Sequence, residues 1–112
     1  MDRIELEKTN EYLKKHMPEV LKSDLVRIIM YGSCARGDYA FDSDVDIALL
    51  TNCDRMEAKK YDDSLMDIVT DIAMDTGTIV QYICIPIKEY DEKKNWYGYF
   101  QNIEREGIVI YG

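Results

Sequence analysis

A glycine–serine pair and two aspartates are the residues of this chain whose types and spacing can do chemistry together. Gly32 and Ser33 are followed, after ten residues, by Asp44, Val45 and Asp46. Glycine lets a backbone approach phosphate closely, and a serine at the start of a helical turn can donate its hydroxyl and amide to phosphate oxygens. The carboxylates can hold the divalent metals that phosphate chemistry requires. The pattern predicts nucleotidyl transfer.

The spacing of the two aspartates matters because side chains alternate along a strand. Asp44 and Asp46 are expected on one face of an extended segment, with Cα atoms roughly 6.5 Å apart. Carboxylates so placed can bracket two magnesium ions about 3.5 to 4 Å apart. An acidic pair alone is also common on solvated surfaces, and Gly32–Ser33 alone also fits an ordinary strand-to-helix turn with Ser33 as N-cap. Their combination favours the functional interpretation.

Two short strands are predicted to position these residues. The β-branched run 25–31 stops at Gly32 and predicts a strand buried on most of both faces. Residues 45–50 predict the second strand. The polar stretch 34–43 between them predicts a helical turn followed by a loop.

The remaining pattern predicts helices around a short mixed sheet. Residues 2–16 fit an amphipathic helix, with Pro18 marking its end or a break. A second, long helix begins after an N-cap within 52–54 and ends at Thr76–Gly77; a third strand over 78–85 is closed by Pro86. A helix-like aromatic stretch and a short final strand complete the chain. The order predicts one small α/β or α+β domain over residues 1–112.

Charge and composition narrow the function. The 112 residues include 22 Asp and Glu against 14 Lys and Arg, a net charge of -8. This argues against a protein whose main task is gripping a nucleic-acid backbone, and leaves a metal-bound nucleotide compatible. The sequence shows neither a secretory signal pattern nor an apolar run near the ~20 residues of a membrane span, so we expect a cytoplasmic protein without membrane contact.

Other conspicuous residues favour structural roles. Cys34, Cys53 and Cys84 are widely spaced without a C-x-x-C pair, so we expect free thiols, and His16 is expected at the surface or near a helix end. The phosphate-binding motif G-x-x-x-x-G-K-[ST] is absent, which argues against a P-loop enzyme. The aromatic cluster at 90–100 fits core packing best, with stacking on a nucleobase or contact with a partner as alternatives.

A family resemblance rests on the sequence around the motif. The stretch Y-G-S-C-A-R-G-D at residues 31–38, followed by D-S-D-V-D-I at 42–47, resembles the minimal nucleotidyltransferase branch of the DNA polymerase β-like nucleotidyltransferase superfamily. The segment N-I-E-R-E-G at 102–107 is similar to the terminal segment of many such small proteins, so the resemblance runs from about residue 20 to residue 112. It implies the polymerase β-like nucleotidyltransferase fold, a small mixed β-sheet flanked by helices.

The resemblance also implies roles for individual residues. Gly32 and Ser33 would hold the nucleoside triphosphate, and Asp44 and Asp46 would bind Mg²⁺ and carry catalysis. Two Mg²⁺ ions are expected with the nucleotide bound, and ATP is the expected substrate. Arg36 lies in the family's G-S-x-A-R-G stretch, where nucleotide or loop positioning and a structural salt bridge fit equally well.

One position departs from the family pattern. The family usually has a third carboxylate on the following strand, where this chain has Gln81. That acid helps to hold the catalytic metal and can take the proton of the acceptor hydroxyl, which an amide cannot do. Weakened catalysis, an alternative base and nucleotide binding without turnover all remain open. Asp71 and Asp75, on the preceding helix, are expected to be exposed rather than to substitute for the acid.

Three hypotheses follow. The first is a Mg²⁺-dependent nucleotidyltransferase that moves a nucleoside monophosphate, AMP from ATP, onto a hydroxyl acceptor; the resemblance implies a helical HEPN-type partner protein of a toxin–antitoxin pair, and a homo-oligomer is the alternative means of completing the site. The second is a catalytically weak or inactive nucleotide-binding antitoxin that acts by contact with that partner. The third is a small α/β domain with a coincidental motif.

Overall fold

A four-stranded mixed sheet with helices on both faces forms the fold. The computed structural model describes residues 2–37 and 44–112 of the chain. The helices are α1 (Arg3–Leu21), α2 (Arg55–Ala58), α3 (Asp62–Thr76), α4 (Ile87–Lys93) and α5 (Gly98–Glu106). The strands are β1 (Leu25–Tyr31), β2 (Val45–Thr51), β3 (Val80–Pro86) and β4 (Ile108–Tyr111). None of the described helices is long and apolar enough to cross a bilayer.

The strand order β3-β2-β1-β4 places the two predicted motif strands at the centre of the sheet. β1 runs antiparallel to both β2 and β4, whereas β2 and β3 are parallel. Parallel neighbours need a crossover connection, which the helical segment from α2 to α3 supplies. The predicted mixed sheet is therefore confirmed.

Each face of the sheet has its own core. Helices α1 and α3 pack on one face and helices α4 and α5 on the other. The first core includes Leu13, Met17, Leu21, Ile28, Met30, Val45, Ile47, Leu49, Leu65, Ile68, Val69 and Ile72. The second consists of Ile29, Ala48, Leu50, Ile85, Tyr90, Phe100 and Ile103. Because both faces are covered, the central strands are apolar at nearly every position, and polar residues can face a ligand only where these strands end.

Pro18 lies inside α1, so the prediction that the first helix ends or breaks there is wrong. A proline within a helix removes one backbone hydrogen bond and costs about 3 kcal/mol. Met17 and Leu21 flank it and are 0% and 1% exposed. Full burial of such a side chain contributes ~1.5–3 kcal/mol, so the two together can offset the proline.

The predicted long second helix is divided into two. Asp54 caps α2 through a capping box with Glu57, and a 3-10 turn over Lys59–Tyr61 leads into α3. Gly77 ends α3 in the left-handed conformation with φ of +76°, as the Thr76–Gly77 signal predicts. Helical periodicity continues across the break because a 3-10 turn still advances the chain helically. Part of the loop predicted over residues 34–43, residues 38–43, lies outside the described residues.

Candidate active site

Three side chains form a row across the sheet at the last residue pair of β1 and β2. Asp46 on β2 lies opposite Tyr31 on β1 and beside Gln81 on β3 in the sheet register. Register partners point to the same face of a sheet. The next rung on that face contains Ile29 and Ala48, which belong to the core under α4 and α5. The row therefore marks the point where this core stops and the sheet face becomes polar.

Asp44 joins the row from the residue just before β2. Gln81 donates from Nε2 to Oδ2 of Asp44 over 3.2 Å, and the backbone oxygen of Asp44 accepts from the Cys34 thiol over 3.3 Å. Asp44 and Asp46 are both half-buried. The structure thus places both aspartates and Gln81 together, on adjacent strands, and anchors Asp44 to the turn that follows β1.

Gly32 starts that turn and faces the carboxylate of Asp46. Its φ is +76°, and a Cβ built on it would lie 2.8 Å from Oδ2 of Asp46. Glycine is needed both for the left-handed backbone and for the close approach. A helical turn follows, in which the amide of Arg36 donates to the carbonyl of Gly32 over 3.2 Å. Ser33 is half-buried in this turn and directly follows Gly32, the residue that faces the Asp46 carboxylate.

Burial and mutual repulsion shape the electrostatics of the pair. Burial raises the pKa of the Asp46 carboxyl, and the negative charge of Asp44 raises it further. Burial also raises the pKa of the Cys34 thiol, with Asp46 adding to the effect, so Cys34 stays a neutral donor at physiological pH. Ionising two close carboxylates together costs free energy, and a bound cation would offset the repulsion between them.

The donor set fits a hard divalent cation. The two carboxylates and the carbonyl oxygen of Gln81 are oxygen ligands, the type that magnesium prefers. Within residues 2–37 and 44–112, no group of three or more His, Cys, Asp or Glu side chains is placed to hold a metal. A metal held by Asp44 and Asp46 would therefore need further oxygens from water or from a phosphate.

Arg36 connects the turn to the last helix. Its Nη1 donates to Oε2 of Glu106 on α5 over 3.1 Å, with the side chains 46% and 30% exposed. The salt bridge expected as one of two roles is therefore present. Its exposure leaves room for the guanidinium to exchange this carboxylate for a phosphate, because both bind arginine in the same bidentate manner.

Sequence reasoning missed the surroundings of the row. The Tyr31 hydroxyl is hydrogen-bonded to that of Tyr99 on α5, and the Cys34 thiol fixes Asp44. The only signal for Tyr99 was the aromatic cluster itself. Asp71 and Asp75 are exposed on α3, which packs on the opposite face of the sheet, so they lie away from the row. The three cysteines are free, as predicted.

Comparisons with known proteins show what the sequence is similar to. A sequence model described as a nucleotidyltransferase domain matches residues 6–103. A protein of Methanocaldococcus jannaschii named as a putative protein adenylyltransferase is 32% identical over 85 residues, which is 76% of this chain and 77% of that protein. The segment matched by the sequence model includes all the residues of the row and the turn.

Solved structures share the fold at low sequence identity. A crystal structure of a putative nucleotidyltransferase from Sulfolobus solfataricus has a TM-score of 0.54 and 22% identity, covering 97% of this chain and 87% of its own. A crystal structure of a toxin–antitoxin with AMP-PNP has a TM-score of 0.53 and 17% identity, covering 100% of this chain and 74% of its own. The chain therefore shares the fold of these two solved structures.

Proposed function

The chain belongs to the nucleotidyltransferase domain family, and from this premise we propose that it transfers AMP from ATP to a hydroxyl group of a partner protein in a Mg²⁺-dependent reaction. The observation that carries the proposal is the close contact between Gly32 and Asp46. An ideal Cβ on residue 32 would lie 2.8 Å from Oδ2 of Asp46. A phosphate approaching the bare backbone of Gly32 would lie against that carboxylate. Only a cation between them makes the two anions compatible.

Each residue of the site would have a definite task. The turn at Gly32 and Ser33 would offer backbone amides and a hydroxyl to the triphosphate, and Asp44 and Asp46 would hold Mg²⁺. Mg²⁺, when bound, neutralises phosphate charge and aligns the attacking and leaving oxygens. Arg36 would bind a phosphate oxygen once it leaves Glu106.

The reaction would balance as a simple displacement. The acceptor hydroxyl oxygen forms a bond to the α-phosphorus, the bond from that phosphorus to the bridging oxygen breaks, and pyrophosphate leaves. The hydroxyl proton must go to a base. Gln81 cannot take it, and Asp46 would be engaged by Mg²⁺, so we assign the proton to water.

The partner is proposed from the relatives. The M. jannaschii relative is named as acting on protein, and one structural neighbour is a toxin–antitoxin. We therefore propose a protein acceptor, of the helical HEPN type that the family resemblance implies. A protein acting in this way would work in the cytoplasm, where ATP is available.

A second candidate is favoured by one observation. Gln81, beside Asp46, donates to Asp44 where the family pattern has an acid, so the site has two carboxylates instead of three. A chain with this site can bind Mg²⁺ and nucleotide and neutralise its partner by contact, with little or no turnover.

The test combines transfer and binding. The purified chain is incubated with ATP labelled at the α-phosphate, Mg²⁺ and the product of a neighbouring gene; we expect label on the partner, abolished by Asp44→Ala or Asp46→Ala and retained in Asp71→Ala, an exposed aspartate on the other face. Mg²⁺ with ATP at about 100 times Kd should raise the free energy of unfolding by about 2.7 kcal/mol.

The two candidates give different results. Partner neutralisation without label transfer, surviving Asp44→Ala, would favour the contact antitoxin. Binding of Mg²⁺-ATP that does not depend on Asp44 would overturn both.

A further inference from the structure

Four aromatic side chains form a continuous path away from the candidate site. Tyr31, Tyr99, Tyr97 and Trp96 contact one another in this order, with ring centroids 5.9, 6.4 and 6.2 Å apart. We call these four residues the aromatic ladder. Its inner end, Tyr31, lies opposite Asp46 in the sheet register. Its outer end lies in the connection between α4 and α5.

Three of the four ladder rings are exposed, although the sequence favoured core packing for this cluster. Trp96, Tyr97 and Tyr99 are 66%, 45% and 42% exposed. Tyr90 and Phe100 of the same cluster are buried, as predicted. Large rings left open to water on a chain with a net charge of -8 need another explanation than core packing.

The exposed rings are held in place from behind. Phe100 is 3% exposed and contacts Tyr97 edge-on, with centroids 4.9 Å apart, and it also contacts Tyr99. The hydroxyl of Tyr99 is hydrogen-bonded to that of Tyr31. Rings fixed in this way lose little conformational entropy when a flat ligand stacks on them.

The position of the ladder relative to Asp46 identifies what it would bind. Tyr31 directly precedes Gly32 and Ser33, so the ladder starts where the triphosphate would be held. Gln81 lies on the other side of Asp46. A nucleotide with its phosphates at the turn can extend its ribose and base over α5, which leaves the Gln81 side for the acceptor.

We propose that the aromatic ladder stacks the purine base of the nucleoside triphosphate, chiefly on Tyr99 and Tyr97. This inference rests on the proposed function, because it needs the triphosphate at Gly32 and Ser33. Exposed aromatic rings can stack on any base. The base is separated from the α-phosphate by one sugar, a length similar to the 5.9 Å between the ring centroids of Tyr31 and Tyr99. It predicts a preference for large bases and little discrimination between adenine and guanine.

Trp96 provides a direct readout because it is the only tryptophan of the chain. With Mg²⁺ present, ATP should change its fluorescence, whereas inorganic tripolyphosphate, which has no base, should bind without this change. By calorimetry, ATP should bind about tenfold more tightly than tripolyphosphate. Equal affinities would overturn the inference.

Substitutions separate the base from the phosphates. Tyr99→Leu and Tyr97→Leu should each weaken ATP binding about tenfold and leave tripolyphosphate binding within twofold, while Tyr99→Phe, which keeps the ring, should retain most of the ATP affinity. Tyr12→Leu, on the opposite face of the sheet, is the matched control. Circular dichroism checks that each variant is folded.

The outcomes are distinguishable. If neither ATP nor tripolyphosphate binds in an Asp44-dependent way, the proposed function fails and this inference falls with it. If both bind and Tyr99→Leu changes neither affinity, this inference alone is wrong. If Tyr99→Leu weakens the complex with the partner protein but not ATP binding, the ladder is a protein-docking surface and the inference is likewise overturned.

Discussion

Gln81 donates a hydrogen bond from Nε2 to Oδ2 of Asp44, over 3.2 Å. A neutral donor therefore occupies the place where the family resemblance predicts an acid. The Gln81 amide donates to one carboxylate oxygen of Asp44. It adds no charge beside Asp46, which is the register neighbour of Gln81. Among the described residues, the site has two carboxylates. It should bind divalent cations less tightly than a site with three, and its carboxylates should repel one another less when no metal is bound.

Replacing Gln81 by glutamate should raise the metal affinity of the site and increase the repulsion between its carboxylates when no metal is bound. Gln81→Glu removes the donor to Asp44 and adds a third carboxylate, so without metal we expect the free energy of unfolding to fall by about 1 kcal/mol. With Mn²⁺ or Mg²⁺, the variant should bind the metal about tenfold more tightly and transfer label faster. Metal titration by calorimetry and urea unfolding check these expectations.

Gln81→Met is the control for that change, because it removes the donor without adding charge. It should lose stability as Gln81→Glu does in the absence of metal, yet gain no metal affinity. Equal metal affinity in Gln81→Glu and in the unaltered protein would show that residue 81 does not reach the metal.

The role of Gly32 in nucleotide binding can be tested by comparison with Gly77, which has the same backbone φ angle. Gly32 and Gly77 both have φ of +76°, but a Cβ at Gly77 meets nothing within 4 Å, whereas at Gly32 it meets Asp46. Gly32→Ala and Gly77→Ala should each lose about 1–2 kcal/mol of stability from the left-handed backbone. Only Gly32→Ala should also weaken Mg²⁺-ATP binding, by tenfold or more. Binding that is equally weakened in both variants would mean the loss comes from strain alone.

The sequence predicts the elements of the site better than their surroundings. The apolar run before Gly32 and the two-residue spacing of Asp44 and Asp46 are local signals, because the periodicity of a strand can be recognised from consecutive residues. The parallel pairing of β2 with β3, which brings Gln81 beside Asp46, was not predicted, because residues 35 positions apart leave no local signal. The resemblance only aligned Gln81 with the third acid of the family pattern.

Two misses have the same cause. Pro18 was expected to end the first helix, but burial of Leu21 beyond it keeps the helix going. The aromatic cluster was favoured as core, yet Phe100 is buried while its neighbour Tyr99 is exposed. In both cases tertiary packing decides, and composition alone cannot show which face of a helix meets the sheet.

The pH dependence of stability should report the charge of Asp46. Its folded-state pKa is raised, so the folded chain binds that proton more tightly than the unfolded chain and is penalised once the carboxyl ionises. Asp46→Asn should therefore be more stable than the unaltered, metal-free protein at pH 7. This advantage should shrink as pH falls through the raised pKa and vanish below the ordinary value of 3.8. Urea unfolding between pH 7 and pH 3 measures this stability difference, and saturating Mg²⁺ should abolish it.

Arg36 and Glu106 form an exposed ion pair, so substituting either should cost less than about 1 kcal/mol of stability. The two differ in what else they can do, because only the guanidinium can bind a phosphate oxygen. Arg36→Gln should weaken Mg²⁺-ATP binding about tenfold, and Glu106→Gln, which frees the guanidinium from its carboxylate, should leave it equal or slightly tighter. Calorimetric titration of both variants measures this. Equal losses of ATP affinity would instead assign Arg36 to holding the turn against α5.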